Sequence, residues 1–249
     1  MRKYLVVTTI LVTAVIFAAR IAAAEPGPVK ITAMERVETH SKIYDGGNDF
    51  SGETYNYFML TAYRELQKNT VGSVFYLNRY SFDESDFITH IGGVSVIHAY
   101  NPRVLSTISY SHTSNPERST IIINPRKTRD RMSVAVIYNV NPKRNANARW
   151  SLTSAYNTVT DWGEQRTLTE KLEVKFPKVT KRLEAKMAYT FSYGLSDSDQ
   201  YTNQYSSDLS FRFSKTSRLV LGVLFIDNVY ENNQGDDTVF RLSLVRNIR

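Results

Sequence analysis

From residue 29 onward the chain alternates apolar and polar side chains with a period of two. Residues 182–193 set Leu183, Ala185, Met187, Tyr189, Phe191 and Tyr193 on one face, with Arg182, Glu184, Lys186, Ala188, Thr190 and Ser192 on the other. Residues 166–176 repeat the pattern, with Leu168, Leu172, Val174 and Phe176 against Thr167, Thr169, Lys171, Glu173 and Lys175. Glu170 breaks the apolar face near the acidic end. Alternation over such a length marks a β-strand with one apolar face. Twelve strands are predicted, over 29–41, 53–64, 72–81, 87–100, 103–113, 130–140, 148–159, 166–176, 182–193, 203–213, 218–229 and 238–247. Each is about ten residues long, enough to cross a hydrocarbon core at a tilt.

The connectors alternate as well. The loops 42–54, 82–86, 160–165, 194–202 and 230–237 each carry a net charge of −2 or −3. The turns between the other strand pairs, counted with Arg64, Arg103, Arg149, Arg182 and Arg218, each carry +1 to +3. Antiparallel neighbours place alternate connectors at opposite ends, so one end of the molecule is acidic and the other basic. Loop 114–129 breaks the rule. It lies on the acidic side, yet it is net basic and is the longest connector. Aromatic residues gather toward both ends. Tyr110, Tyr156, Phe191, Tyr193, Tyr201 and Tyr205 lie near the acidic end, and Trp150, Phe176, Phe211 and Phe213 near the basic one, as rings do at membrane–water interfaces.

Residues 1–24 have the form of a secretory signal. Arg2 and Lys3 precede an apolar core over 4–19, and Ala22, Ala23 and Ala24 offer a cleavage site. The remainder, 25–249, is expected to be a single domain of formal charge +4. It has no second apolar run of helix-spanning length. If it enters a membrane it does so as a closed barrel, because only helices and barrels satisfy every backbone group in lipid. The absence of Cys excludes disulfides and thiolate metal sites.

Strand number, turn placement and alternation over 29–249 together resemble bacterial outer-membrane β-barrels. The resemblance implies an all-β, transmembrane, antiparallel up-and-down barrel of about twelve strands. It also implies periplasmic termini, export through the periplasm, and contact with outer-membrane lipid and lipopolysaccharide. Such barrels usually end in an aromatic residue. This chain ends Val245-Arg-Asn-Ile-Arg249.

Three sets of residues carry candidate chemistry. The polar face gathers Arg149, Lys171, Glu173, Lys175, Arg182, Glu184, Lys186, Asp208, Arg212 and Arg241, an excess of four positive charges. Lining a narrow lumen, they would favour small anionic solutes in a porin-like passive channel, or they would pair across strands and fill the interior. On strand 218–229, Val220, Leu224 and Ile226 add apolar side chains to that same face. At the acidic rim, His112 and Ser114 share the phase of Val104, Ile108 and Tyr110 and so face lipid.

His112-Thr-Ser114-Asn115 is similar to the His-x-Ser-Asn element of outer-membrane phospholipase A. That likeness implies a calcium-assisted acyl hydrolase with Ser114 as nucleophile and His112 as base. The family's third polar residue falls at Arg126, with Asn124 and Asp130 as nearby substitutes. In loop 114–129, the apolar 120–123 stretch would fold into the barrel mouth, extend the strands, or contact lipopolysaccharide. The other histidines show no metal-ligand spacing, and the dispersed basic charge does not suit nucleic acid. No cofactor is expected beyond calcium for a hydrolase. Three functions remain open: the channel, the hydrolase, and a non-conducting structural partner of an envelope complex.

Overall fold

A computed structural model describes residues 27–40, 42–45, 48–51, 54–82, 88–114, 128–141, 147–159, 163–176, 180, 182–195, 201–230 and 233–248. The signal segment and most of loop 114–129 lie outside the described residues. Among those residues every regular element is a strand. These are β1 Lys30–His40, β2 Lys42–Asp45, β3 Asn48–Ser51, β4 Thr54–Gln67, β5 Thr70–Ser81, β6 Ile88–Ala99, β7 Val104–Ser114, β8 Thr128–Asn139, β9 Asn147–Val159, β10 Gly163–Lys175, β11 Leu183–Gly194, β12 Tyr201–Arg212, β13 Ser217–Tyr230 and β14 Asn233–Asn247.

Twelve of these close into one antiparallel barrel, in the order β1-β14-β13-β12-β11-β10-β9-β8-β7-β6-β5-β4. The twelve expected strands match it one for one. Closure runs through β1, which pairs with β14 from Thr32↔Asn247 to His40↔Val239 and with β4 from Lys30↔Tyr63 to Thr39↔Thr54. Closing the sheet removes both free edges, which is the condition for β-structure in lipid. With an even strand number, β1 starts and β14 ends at the same end of the barrel.

β2 and β3 form a separate two-stranded hairpin within the first loop. Period-two reading merged that hairpin into a connector, because two four-residue strands are too short to show alternation. The 65–71 turn is tighter than expected. β4 and β5 run on to Lys68 and Asn69, where Asn69 takes the left-handed backbone (φ 66°) that a two-residue turn requires, after a bulge between Glu65 and Gln67.

The apolar surface lies outside. Phe58, Leu60, Val74, Val94, Ile108, Val134, Leu172, Met187, Leu209, Leu221, Phe240 and Leu242 are all exposed, and register places them on one continuous outer face. Buried hydrophobic residues among those described are few: Tyr55, Ala155, Ala188, Val239 and Val245. Such inversion stabilises the barrel only where the surrounding medium is apolar. The interior is closed by polar pairs across strands. Ser73 and Ser95 share a hydrogen bond of 2.7 Å, Ser109 and Ser133 one of 2.7 Å, and Thr169 and Ser192 one of 3.0 Å. Val220, Leu224 and Ile226 occupy the inward phase of β13, opposite to the exposed Leu221, Val223 and Phe225.

Candidate functional site

The inward faces of β10–β14 carry a ladder of opposite charges. Lys175 Nζ lies 3.0 Å from Glu184, and Lys186 Nζ lies 3.6 Å from Glu173 and 3.3 Å from Asp208. Lys171 Nζ is 3.6 Å from Glu173, and Arg241 donates to Asp208 at 3.0 Å. Eight of the ten expected lumen residues are thus placed in the barrel's interior with a described partner or beside one. Lys171, Glu173, Lys175, Glu184, Lys186, Asp208 and Arg241 join the ladder. Arg149 instead donates from Nε to Asn139 Oδ1 at 3.0 Å.

Arg182 and Arg212 lie outside the ladder, at the turn end. The backbone N–H of Arg212 donates to the Arg182 carbonyl at 2.8 Å, and Arg212 stands opposite Arg218 in register. The ladder crosses β13 because position 222 is glycine. Asp208, Gly222 and Arg241 are successive register partners, and a Cβ at 222 would collide with Asp208 Oδ1.

The opposite wall differs in kind. β5–β9 present no carboxylate on their described inward positions, but four arginines: Arg79, Arg129, Arg131 and Arg149. Arg79 stacks over the Tyr55 ring at 4.6 Å. The buried Nε of Arg129 has no hydrogen-bond partner, and neither has the buried Oδ1 of Asn157, which stands opposite Arg131 in register. Sequence reading placed Arg129 in loop 114–129, and it left Arg131, inside the expected strand 130–140, out of the lumen set. The signal was present: Arg129, Arg131 and Ser133 share the phase opposite to Met132 and Val134.

Across β1, β4 and β14 the inward face holds a second polar cluster. Arg36 pairs with Glu38 at 3.0 Å and donates from Nε to Ser243 at 3.1 Å. His40 Nδ1 lies 2.6 Å from Asp237.

On the outer face, at the loop end, His112 and Asp130 are direct register partners. Their Nδ1 and Oδ1 atoms are 2.9 Å apart, and Tyr110 donates its hydroxyl to the same Asp130 oxygen at 2.7 Å. Asp130 therefore fills the orienting position beside His112, although it lies further along the chain than the phospholipase spacing puts it. Ser114 and His112 share the outward phase, but the Ser114 hydroxyl donates to the His90 carbonyl at 3.5 Å. Asn124 and Arg126 lie outside the described residues.

No protein-family model matches this sequence, and no curated protein matches it. Solved structures do match in fold. An outer-membrane channel from Pseudomonas putida F1 superimposes with TM-score 0.62 at 12% identity, over 90% of this chain and 97% of that one. The NanC porin gives 0.57 at 8% identity, over 87% and 100%. The translocator domain of the autotransporter NalP from Neisseria meningitidis gives 0.55 at 10% identity, over 96% and 97%. The fold is that of the outer-membrane β-barrels. At such identities the similarity is one of architecture.

Proposed function

We propose that this chain is a small, porin-like passive channel of the bacterial outer membrane, with termini on the periplasmic side and a lumen that favours anions. The observation that carries this is the charge of the β8–β9 wall, where Arg129, Arg131 and Arg149 take the inward phase with no carboxylate among the described inward residues of those strands. Fixed charge inside a narrow passage of low dielectric biases which ions enter. The cations of β10–β14 contribute less, since Lys175, Lys186 and Arg241 already face carboxylates within 3.3 Å. Structural neighbours described as an outer-membrane channel and a porin support the channel class. Single-channel recording in planar bilayers under a KCl gradient is the test. Discrete conductance steps with a reversal potential on the chloride side are expected. Silence at every voltage removes the channel and leaves the structural-partner function.

One observation favours a second function, an acyl hydrolase acting on outer-leaflet lipid. A carboxylate at 2.9 Å from His112 Nδ1 is the arrangement that fixes the tautomer of a histidine base. A Ser114 hydroxyl turned from the His90 carbonyl toward His112 would complete it. Wild-type protein should then release fatty acid from phospholipid micelles with calcium present, and Ser114→Ala should abolish the release. Inactive wild type under those conditions eliminates this function.

A further inference from the structure

Two adjacent rows of the barrel wall share an apolar residue on β5, a hydroxyl on β7 and an arginine on β8. In the first, Thr61, Phe75, Gly93, Ser111 and Arg131 are successive register partners across β4 to β8. In the second, Met59, Leu77, Ile91, Thr113 and Arg129 are. All ten positions share the inward phase. The second row passes from apolar side chains on β4–β6, through the Thr113 hydroxyl, to the Arg129 guanidinium; the first adds the Phe75 ring, the Ser111 hydroxyl and the Arg131 guanidinium beside it. Phe75, Leu77, Ile91 and Met59 are only half-buried, so the lumen has access to them.

Gly93 shapes the surface between them. A Cβ there would meet the Phe75 ring at 2.5 Å, so the ring lies across the strand, and the wall beyond it is lowered to backbone and a serine. At ~4.8 Å per strand, the apolar and cationic ends are separated by roughly 14 Å of wall. The unpartnered Arg129 Nε and Asn157 Oδ1 at the cationic end supply a donor and an acceptor.

We propose that these rows form a solute-binding strip for amphipathic monocarboxylates, acids with an aromatic or medium-chain apolar body, and that such acids are the preferred solutes of the channel. The proposal rests on the channel function. The carboxylate sits against Arg129 and Arg131, where charge-assisted bonds to guanidinium are strongest. The body lies over Ile91, Leu77 and the face of Phe75. A simple inorganic anion uses only one end of the strip, and a neutral aromatic uses only the other.

The test compares three probes on the full chain: 4-phenylbutyrate, acetate and 4-phenylbutanol. Each is measured as block of KCl current in planar bilayers, and by calorimetric titration of the detergent-folded barrel against a matched detergent blank. Phenylbutyrate should act at concentrations at least tenfold below both others. The double variant Arg129→Gln, Arg131→Gln should reduce it to the level of phenylbutanol. Leu77→Ser with Ile91→Ser should reduce it to the level of acetate, and discrete KCl steps should still open in both variants, with lower chloride preference in the arginine variant. Equal action of phenylbutyrate and acetate on wild type overturns the strip while leaving the channel intact. Absence of KCl current removes the channel, and calorimetry then decides the strip alone: tenfold tighter phenylbutyrate supports it, equal binding overturns it.

Discussion

The two halves of the lumen wall use the same residue types to opposite ends. In the ring order β5 stands six strands from β11, so the arginine-rich half faces the ladder half directly. On β10–β14, cations and carboxylates alternate closely enough to satisfy one another, and their charge is spent on holding strands together. On β8 and β9 the charged side chains at described inward positions are Arg129, Arg131 and Arg149, with no carboxylate among them, beside apolar side chains and hydroxyls. The difference separates charge that builds the barrel from charge that acts on what passes through it. Net lumen charge does not distinguish the two; pairing does. Each half also contains a glycine at the position where a side chain must cross a strand: Gly222 beneath the Asp208–Arg241 pair, and Gly93 beneath the Phe75 ring.

The largest effect is expected from closing the ladder's crossing. Gly222→Val places a side chain where Asp208 Oδ1 now sits, so Asp208 and Arg241 lose each other in a half-enclosed interior. Leaving charged partners unsatisfied costs about 2 kcal/mol. Denaturant unfolding in lipid vesicles, followed by gel migration of folded and unfolded forms, should show this loss. Unchanged stability would mean that the ladder is ornamental and the two halves are alike.

Selectivity should respond in the reverse order. Arg129→Gln with Arg131→Gln should lower the chloride-to-potassium permeability ratio about fivefold, the equivalent of the roughly 1 kcal/mol of one close charge contact in water. Lys171→Gln with Glu173→Gln removes a ladder cation together with the carboxylate it faces and should leave the ratio nearly unchanged. Reversal potentials in a KCl gradient measure both, and equal effects would erase the distinction between paired and unpaired walls. Asp208→Asn should move the ratio the other way, about twofold, because Lys186 at 3.3 Å and Arg241 at 3.0 Å are then released toward the lumen. All three shifts should shrink as ionic strength rises.

Much of this was legible from alternation. Period two sorts lumen from lipid face without any knowledge of partners, and the connector charges assign turns to ends, so strand number followed directly. Pairing was not legible, since it depends on register between strands: Lys186 meets Asp208 and Glu173 only because β11 is aligned with β12 and β10 in one way. The phospholipase spacing, which points to residues outside those described, could not show the His112–Asp130 contact either. It counts residues along the chain, whereas His112 finds Asp130 across a ladder whose alignment is independent of the intervening loop length. Arg129 was hidden by a boundary drawn two residues late, and Arg131 stood at the very start of the expected strand, where charged and apolar residues mix.

The smallest effect concerns the outer face, where the same contrast of paired and unpaired charge appears in reverse. Glu170 is the residue that interrupts the apolar face of β10, and its carboxylate accepts a hydrogen bond from the indole N–H of Trp150 at 2.5 Å. On a surface turned toward lipid, an acidic side chain is tolerated better than a basic one, and a donor beside it lowers the cost further. Trp150→Phe keeps an aromatic ring but removes the donor, so Glu170 must turn toward the interface or take up a proton. A loss of about 1 kcal/mol is expected in vesicle unfolding, and Glu170→Leu added to Trp150→Phe should recover it. If Trp150→Phe alone is silent, Glu170 already reaches the water–lipid interface, and the outer face tolerates unpaired charge as the β8 wall of the lumen does.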